Sequence, residues 1–303
     1  MRQSPSTAPA RPLFAMALRL ASMAVLAVMF SGVKLAEERG VGVVECLFWR
    51  QAMGLPVVAA WLAATGRLRE IGTQRPAAHA VRMTIGLSAM ALNFTAVTLL
   101  PLAEATTIGF AVPLFATVFA ALLLGEATGR WRWGAVATGF VGVLIVLQPG
   151  GAHIGGLGAA VALAGALATA LVTIQIRYLG RTEATGAIVF WFSLSSLVPL
   201  GILMLFVGKP HDATGWLLIL MLSGAGAVAQ ILLTAALRFG AVAAVLTMDY
   251  SALIWSLLAG WLIFGQLPAA TTWIGAPLIV AAGLVIAWRE HRLRRTAAVL
   301  TPD

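Results

Sequence analysis

"PLAEATTIGFAVPLFATVFAALLLGE", Pro101 to Glu126, is long and apolar enough to cross a bilayer, yet it carries polar residues at fixed depths. A hydrocarbon core about 30 Å thick takes roughly 20 mostly apolar residues in a helix. Glu104 falls in the first helical turn, where the helix dipole favours an acid. Glu126 falls at the other end, where the dipole opposes one, so Arg130 or Arg132 is expected to compensate it. Thr106, Thr107 and Gly109 keep the helix slim and offer hydroxyls to a cavity. Pro113 lacks an N–H and frees a carbonyl near the midplane, which membrane helices tolerate where neighbours or water repair it. The stretch predicts a bent, cavity-lining membrane span, with Pro101 making a tight turn before it.

Nine further apolar runs of similar length fill the rest of the 303 residues. With this one they read as spans at about 13–35, 43–64, 79–100, 102–124, 131–148, 157–179, 185–206, 214–237, 241–264 and 271–289. The chain is 60% hydrophobic and 10% charged, with a mean hydropathy of +0.95. A water-soluble domain keeps a far more polar exterior. The expected class is an all-α integral membrane protein of ten transmembrane helices. The lone Cys46 excludes an intramolecular disulfide. Arg2, Arg11 and the run that follows faintly resemble a signal peptide, but no small-residue cleavage site follows, so an uncleaved first span is expected.

The net charge of +9 is unevenly spread. With the N-terminus inside, the inner segments collect nearly all of the arginines, and the outer ones hold Lys34, Arg39 and Lys209. That is the positive-inside pattern, and it places both termini in the cytoplasm of a cell whose inner membrane carries the chain. The tail "WREHRLRRTAAVL" then reads as a topology anchor near anionic lipid rather than a nucleic-acid arm.

The two halves resemble each other at an offset near 140 residues. "AALLLGEATGRWRWGAVATGFVGVLIVL" aligns with "AGWLIFGQLPAATTWIGAPLIVAAGLVIAW", setting Gly125-Glu126 opposite Gly265-Gln266 and Trp133 near Trp273. Five spans per copy is an odd number, so the second copy must enter the membrane upside down. The charges agree: the loop after span 4 carries Glu126, Arg130 and Arg132, whereas "GQLPAATT" carries none. The expected organisation is a first repeat over 1–150 and a second, inverted one over 151–303, around a central cavity. Inverted repeats recur in secondary transporters, with the solute bound near the midplane between them.

These features resemble the EamA-type members of the drug/metabolite transporter superfamily over essentially the full length. The resemblance rests on the ten-span plan, "FWRQ" early in span 2, and "ALNFTAVTLLPLAEATTIGFAVPLFATVFAALLLGE" across spans 3 and 4. The second copy keeps "AALRFGAVAAV" and Gly265 but has Gln266 in place of the closing acid. The resemblance implies a basket-like bundle whose cavity is lined by spans 1, 3, 4, 6, 8 and 9. It also implies small-metabolite cargo: amino acids, nucleosides, riboflavin or S-adenosylmethionine. Amino-acid export of the YddG type is the expected branch, and a riboflavin or S-adenosylmethionine importer is the alternative.

Ionisable residues inside hydrocarbon are expensive, so each is a functional candidate. Asp249, in "VLTMDYSAL", sits about 12 Å into span 9 at 1.5 Å per residue. It can hold a substrate ammonium, couple to protons, or form an ion pair between helices. Arg50 on span 2 lies about 10 Å from the outer face. It can meet a substrate carboxylate, pair with an acid such as Glu104, or snorkel. Arg19 and Arg177 lie near inner helix ends and are expected to snorkel. Asn93, Thr106, Phe110, Gln230, Asp249 and Tyr250 are the expected substrate-binding residues. Asp249, Arg50, Glu104 and Pro113 are the coupling or gating candidates. Gln175 and Tyr178 are placed for an inner gate, and Gly134, Gly139, Gly142, Gly275 and Gly283 for close helix packing.

Several classes find no support. There is no phosphate-binding G-x-x-x-x-G-K-[ST] loop, no metal-ligand spacing among His79, His153, His211 and His291, and no catalytic triad or carboxylate pair. No cofactor, metal or nucleic acid is expected, and the partners are a small solute, membrane lipid and protons. An intramembrane lipid-modifying enzyme is the competing class, but the polar residues it needs at one face are dispersed. Monomer and homodimer stay open.

Overall fold

The computed structural model describes residues 12–125, 129–148, 155–239, 245 and 247–300, and the side chains of all of these but 124, 238 and 290–300. Glu126, with its expected compensation by Arg130 or Arg132, lies outside them. The described residues form helices α1 (Pro12–Glu38), α2 (Val43–Ala64), α3 (Pro76–Leu99), α4 (Leu102–Gly109), α5 (Val112–Leu124) and α6 (Arg130–Leu147). They continue as α7 (Gly156–Leu179), α8 (Thr185–Val207), α9 (Ala213–Phe239), α10 (Ala252–Phe264) and α11 (Ala270–Leu300). Single 3₁₀ turns stand at Leu68–Ile71 and Met248–Ser251. Among the described residues nine segments are long and apolar enough to span a membrane, and Met248–Phe264 forms a shorter tenth. The protein is a multi-pass, all-helical membrane protein.

The fourth span is broken rather than bent. α4 ends at Gly109 and α5 begins at Val112, with Pro113 in its first turn. The pyrrolidine ring cannot donate to the Gly109 carbonyl and collides with it, so the helix divides there and restarts where proline is tolerated. The ninth span is irregular at the same depth, its 3₁₀ turn Met248–Ser251 leading into α10. Each of α5 and α10 then stops at a left-handed glycine, Gly125 (φ 64°) and Gly265 (φ 61°), the conformation that side chains with a Cβ avoid.

Helix pairing follows a two-fold exchange of the halves. α1 packs on α9 while α3 packs on α7; α6 packs on α11, and α2 on α8. Numbered by span, the pairs 1–8 and 3–6 convert into one another when five is added or subtracted, and 5–10 and 2–7 convert into themselves. The expected glycines divide. Gly139 receives Leu114, and Gly142 and Gly275 face each other so closely that a Cβ on either meets the other's carbonyl oxygen at 2.9 and 2.5 Å. Gly134 has nothing within 4 Å, and Gly283 receives the Tyr250 hydroxyl instead of a helix.

The core is lopsided. The membrane face at which α1, α3, α6 and α8 begin is the terminal face; α1 ends, and α2, α4, α7, α9 and α11 begin, at the far face. The main buried cluster is weighted toward the far face, where it joins Met29, Val33, Cys46, Leu47, Val97, Leu102, Val143, Val146, Leu200 and Leu222, and only Ala135, Val136 and Ile286 carry it well into the terminal half. Near the terminal face the buried apolar cluster is small: Ala15, Ala236 and Val245. The bundle is therefore sealed at one end and splayed at the other. Gly275→Ala should over-pack the α6–α11 crossing and cost about 1–3 kcal/mol, read as a lower thermal unfolding midpoint in detergent, whereas Gly134→Ala should leave that midpoint unchanged.

Candidate functional site

The splayed half encloses a cavity of about 1900 Å³ to which all eleven helices contribute lining residues, α6 through Arg132 and α8 through Val189, Phe192 and Ser193. At the terminal face its lining is accessible: Ile176 is 41% and Trp288 52% exposed. At the far end the lining residues Val97 and Leu102 are buried in the core. The cavity thus opens to the terminal face and is closed to the far one.

Its deep wall is built where the two broken spans meet. Phe110, at the α4–α5 break, and Tyr250, in the 3₁₀ turn before α10, stand edge to face with centroids 5.2 Å apart. They are 140 residues apart, the offset at which the halves align, so equivalent positions touch on the exchange axis. Only a cavity lined by protein or water tolerates such non-helical backbone at membrane depth.

The remaining expected residues take the following places. Thr106, Asn93, Gln230 and Pro113 line the cavity with Phe110 and Tyr250. Asn93 donates to the Ala89 carbonyl (2.7 Å) and to Thr169 Oγ1 (3.0 Å), so it also ties α3 to α7. Asp249 is a cavity residue and an ion-pair partner at once: Arg19 Nε meets its Oδ1 at 2.5 Å. Arg19 was expected to snorkel, but it is only 7% exposed and turns inward. Seven residues along α1 place it about 10 Å from the terminal face, at the depth of Asp249. Arg50 lines the cavity without meeting Glu104; its Nη1 donates to Gln51 Oε1 at 3.1 Å. Glu104 lies outside the cavity lining. It is 2% exposed, and its Oε1 accepts from the Ala269 backbone N–H (2.9 Å), capping the start of α11. Gln175 is absent from the cavity lining, and Tyr178 instead meets Arg75 from the loop before α3.

The far-face seal has a polar centre. Lys34, read from sequence as an outer-face charge, is 7% exposed. Its Nζ donates to the Leu100 carbonyl (2.8 Å) and to Gln266 Oε1 (3.5 Å) and lies 5.3 Å from the centre of the Phe264 ring. One ammonium thereby joins α1, the α3–α4 turn and the α10–α11 loop. Gln266 departs from the acid of the first copy, and here it acts as an acceptor for Lys34.

Two His–Glu contacts clasp the periphery, one at each face. At the far face His211 Nε2 and Glu45 Oε1 are 2.8 Å apart, and Glu45 also accepts from the backbone N–H groups of Gly42 (2.7 Å) and Lys209 (3.0 Å). At the terminal face His79 Nε2 lies 3.7 Å from Glu183 Oε2, and Thr73 donates to Glu183 Oε1 at 3.1 Å. Each histidine stands beside a tryptophan, Trp216 at 6.0 Å and Trp191 at 6.1 Å between centroids. The two clasps join comparable parts of the halves: α3 and the α7–α8 loop in one, the α8–α9 loop and the start of α2 in the other.

A profile of the EamA-like transporter family matches residues 13–148 and again 156–288. The chain belongs to the EamA-like transporter family. Curated relatives of this EamA-like chain include a riboflavin transporter of Rhizobium johnstonii, 34% identical over 83% of each chain. A pseudopaline exporter of Pseudomonas aeruginosa is 26% identical over 80% of this chain and 85% of its own. An S-adenosylmethionine uptake transporter of Rickettsia bellii is 27% identical over 73% and 74%. A solved crystal structure shares the fold, with a TM-score of 0.62 over 92% of this chain and 97% of that one at 20% identity. The EamA-like chain is a transporter of small metabolites rather than an enzyme, which sets aside the lipid-modifying alternative.

Arg82 is the cavity residue that the sequence reading missed. It is 8% exposed and lies over the Phe192 ring, 4.4 Å from its centre. Arg82, Gly86, Met90 and Asn93 recur at helical spacing, so the stripe was visible in sequence once Asn93 had been singled out.

Asp249→Asn should strand the Arg19 guanidinium. Removing one partner of a fully buried pair costs about 3–5 kcal/mol, and the 37% exposure of the Asp249 side chain lowers the expectation to about 1–3 kcal/mol. The double variant Arg19→Met/Asp249→Leu should regain most of the unfolding midpoint. Lys34→Met should open the far face, and a cysteine placed at Ala105 in a Cys46→Ala background should then react severalfold faster with an impermeant maleimide added there.

Proposed function

We propose that this protein is a secondary transporter of the inner membrane, working by alternating access between two inverted repeats, 1–150 and 151–303. The observation that carries this reading is the cavity itself, open at one face, sealed at the other and walled by two broken spans that meet at Phe110 and Tyr250. Broken helices around a midplane site are the usual construction of secondary transporters. Both termini lie in the cytoplasm on this reading: Arg67, Arg69, Arg75, Arg132, Arg181 and Arg289 fall at the terminal face, against Arg39 and Lys209 at the far one. The cavity then faces the cytoplasm.

The cargo is a small organic metabolite that presents acceptor oxygens to arginine and a flat or apolar body to Phe110 and Tyr250. Thr106, Asn93 and Gln230 supply its neutral polar contacts, Pro113 marks the hinge in span 4, and the Arg19–Asp249 pair guards the terminal mouth. Riboflavin fits this description through its ring oxygens and flat tricycle, and the 34% identity to a riboflavin transporter supports it. Amino-acid export is the second reading, favoured by Arg50, which stands in the cavity with no carboxylate partner among the described residues. S-adenosylmethionine, a cation at its sulfonium, suits the cavity poorly: its charged lining is five arginines and one aspartate, Asp249.

Counterflow in proteoliposomes tests this directly. Riboflavin or an aromatic amino acid should exchange, and S-adenosylmethionine should not. Exchange unaffected by an imposed pH gradient would remove proton coupling while leaving facilitated transport. Failure of every solute in the panel to move would overturn the transporter reading for this chain.

A further inference from the structure

Five nitrogen donors on described residues that line this cavity point at no acceptor; Nε of Arg132 lies at the terminal end, and the other four, Nε of Arg50, Nε2 of Gln51, and Nε and Nη1 of Arg82, lie on α2 and α3. Buried donors left unpaired cost desolvation energy, and cationic ones cost the most. Gln51 is 3% exposed and Arg82 8%, so bulk water does not relieve them. Among the described residues no carboxylate pairs with Arg50 or Arg82, because Asp249 is taken by Arg19.

The surroundings hold these groups in place. Arg82 Nη1 occupies the space that a side chain on Gly86 would fill, 2.0 Å from the position of a Cβ there. Arg50 reaches across to α3, with Nη1 3.6 Å from Met90 Sδ, and its Nε lies against Gly226 of α9, 3.3 Å from where a Cβ would stand. Gly86 and Met90 are one helical turn apart on α3, about 6 Å of rise. Two guanidiniums thus stand about a turn apart on one wall, with the Gln51 amide beside the upper one. Planar N–H forks match the oxygens of carboxylates and phosphates, which they bind by paired, charge-assisted hydrogen bonds.

We propose that Arg50, Gln51 and Arg82 form an oxyanion subsite, and that the cargo enters this cavity with a carboxylate or phosphate directed at α3. The subsite rests on the transporter reading and sharpens it: within the acceptor-bearing class, the anionic members are preferred. Arg82 sets specificity by charge, and Gly86 sets it by leaving Arg82 its seat.

The test compares matched pairs on the full chain in nanodiscs: riboflavin against riboflavin 5′-phosphate by flavin fluorescence, and L-phenylalanine against its amide by calorimetry. The first pair differs by a phosphate and the second by a carboxylate, so the two sources of the oxyanion separate. In at least one pair the acid should bind roughly tenfold tighter or more, the size of one charge-assisted hydrogen bond. That preference should collapse in Arg50→Gln and in Arg82→Gln. It should also collapse in Gly86→Ala, which keeps both charges and displaces one. If Arg82→Gln does not fold, Arg82→Lys keeps the charge without the fork and should lower the preference severalfold. Equal affinity within both pairs, or a preference that survives in Arg50→Gln and Arg82→Gln alike, overturns the subsite. Counterflow of neutral riboflavin in proteoliposomes, with no binding advantage for its phosphate in nanodiscs, overturns the subsite and leaves the transporter reading standing. No movement of any solute overturns the transporter reading.

Discussion

Hydrocarbon offers no partner to a peptide group, so a spanning chain must satisfy its backbone internally or line a wet space. The two interruptions in this bundle, at the α4–α5 junction and at Met248–Ser251, lie where that rule bears hardest. They are tolerable because one side of each faces the cavity, while Ile108, Ala111 and Leu114 anchor the first in the packed core. Pro113 makes the first break obligatory. The second has no proline, and its irregularity depends on the meeting of Tyr250 with Phe110 and on the notch at Gly283 that receives the Tyr250 hydroxyl. Much of the remaining architecture can be read as support for this junction: α6 and α11 locked glycine to glycine behind it, and Lys34 closing the space beyond it.

The exchange of the halves is respected by helix pairing and by the two His–Glu clasps, but not by the seal. Glu104 caps α11 and Lys34 bridges two connections at the far face, and at the offset of 140 their equivalents in the second half are Ala244 and Ile174. On the proposed alternating-access reading, an approximate two-fold supplies two comparable end states, and these unmatched polar contacts bias one over the other. A transporter whose two states are too unequal is slow, so a seal made of a few hydrogen bonds, rather than of a second core, suits a part that must open.

Hydropathy made the spans legible, because length and apolarity suffice in lipid. The polar residues within them were legible as candidates because polar groups are costly at that depth, but a helix–helix hydrogen bond or ion pair accounted for Asn93, Gln230 and Asp249 as readily as a binding role did. Partners were not legible. Arg19 and Asp249 are separated by 230 positions and lie in different halves, and nothing local in one sequence pairs them. Glu104 was read correctly as an acid suited to a helix N-terminus, but the terminus it serves includes that of α11, 165 positions away. Arg82 escaped because a residue so near the start of α3 resembles a flank, and only the stripe through Gly86, Met90 and Asn93 shows that it turns inward.

The arginines that line the cavity also act at a distance. Among the described residues, five guanidiniums line the cavity against one carboxylate, itself paired with Arg19, and in a space walled by apolar side chains such an excess gives a positive potential that low-dielectric walls concentrate. Sodium, potassium and hydronium ions meet this potential as a barrier, in the way that fixed positive groups exclude cations from water-filled pores. A cavity that must open widely enough for an organic metabolite is far wider than a bare cation. The far-face seal interrupts any ion path while the mouth stands open, and the charged lining adds a second barrier that opposes entry of small cations.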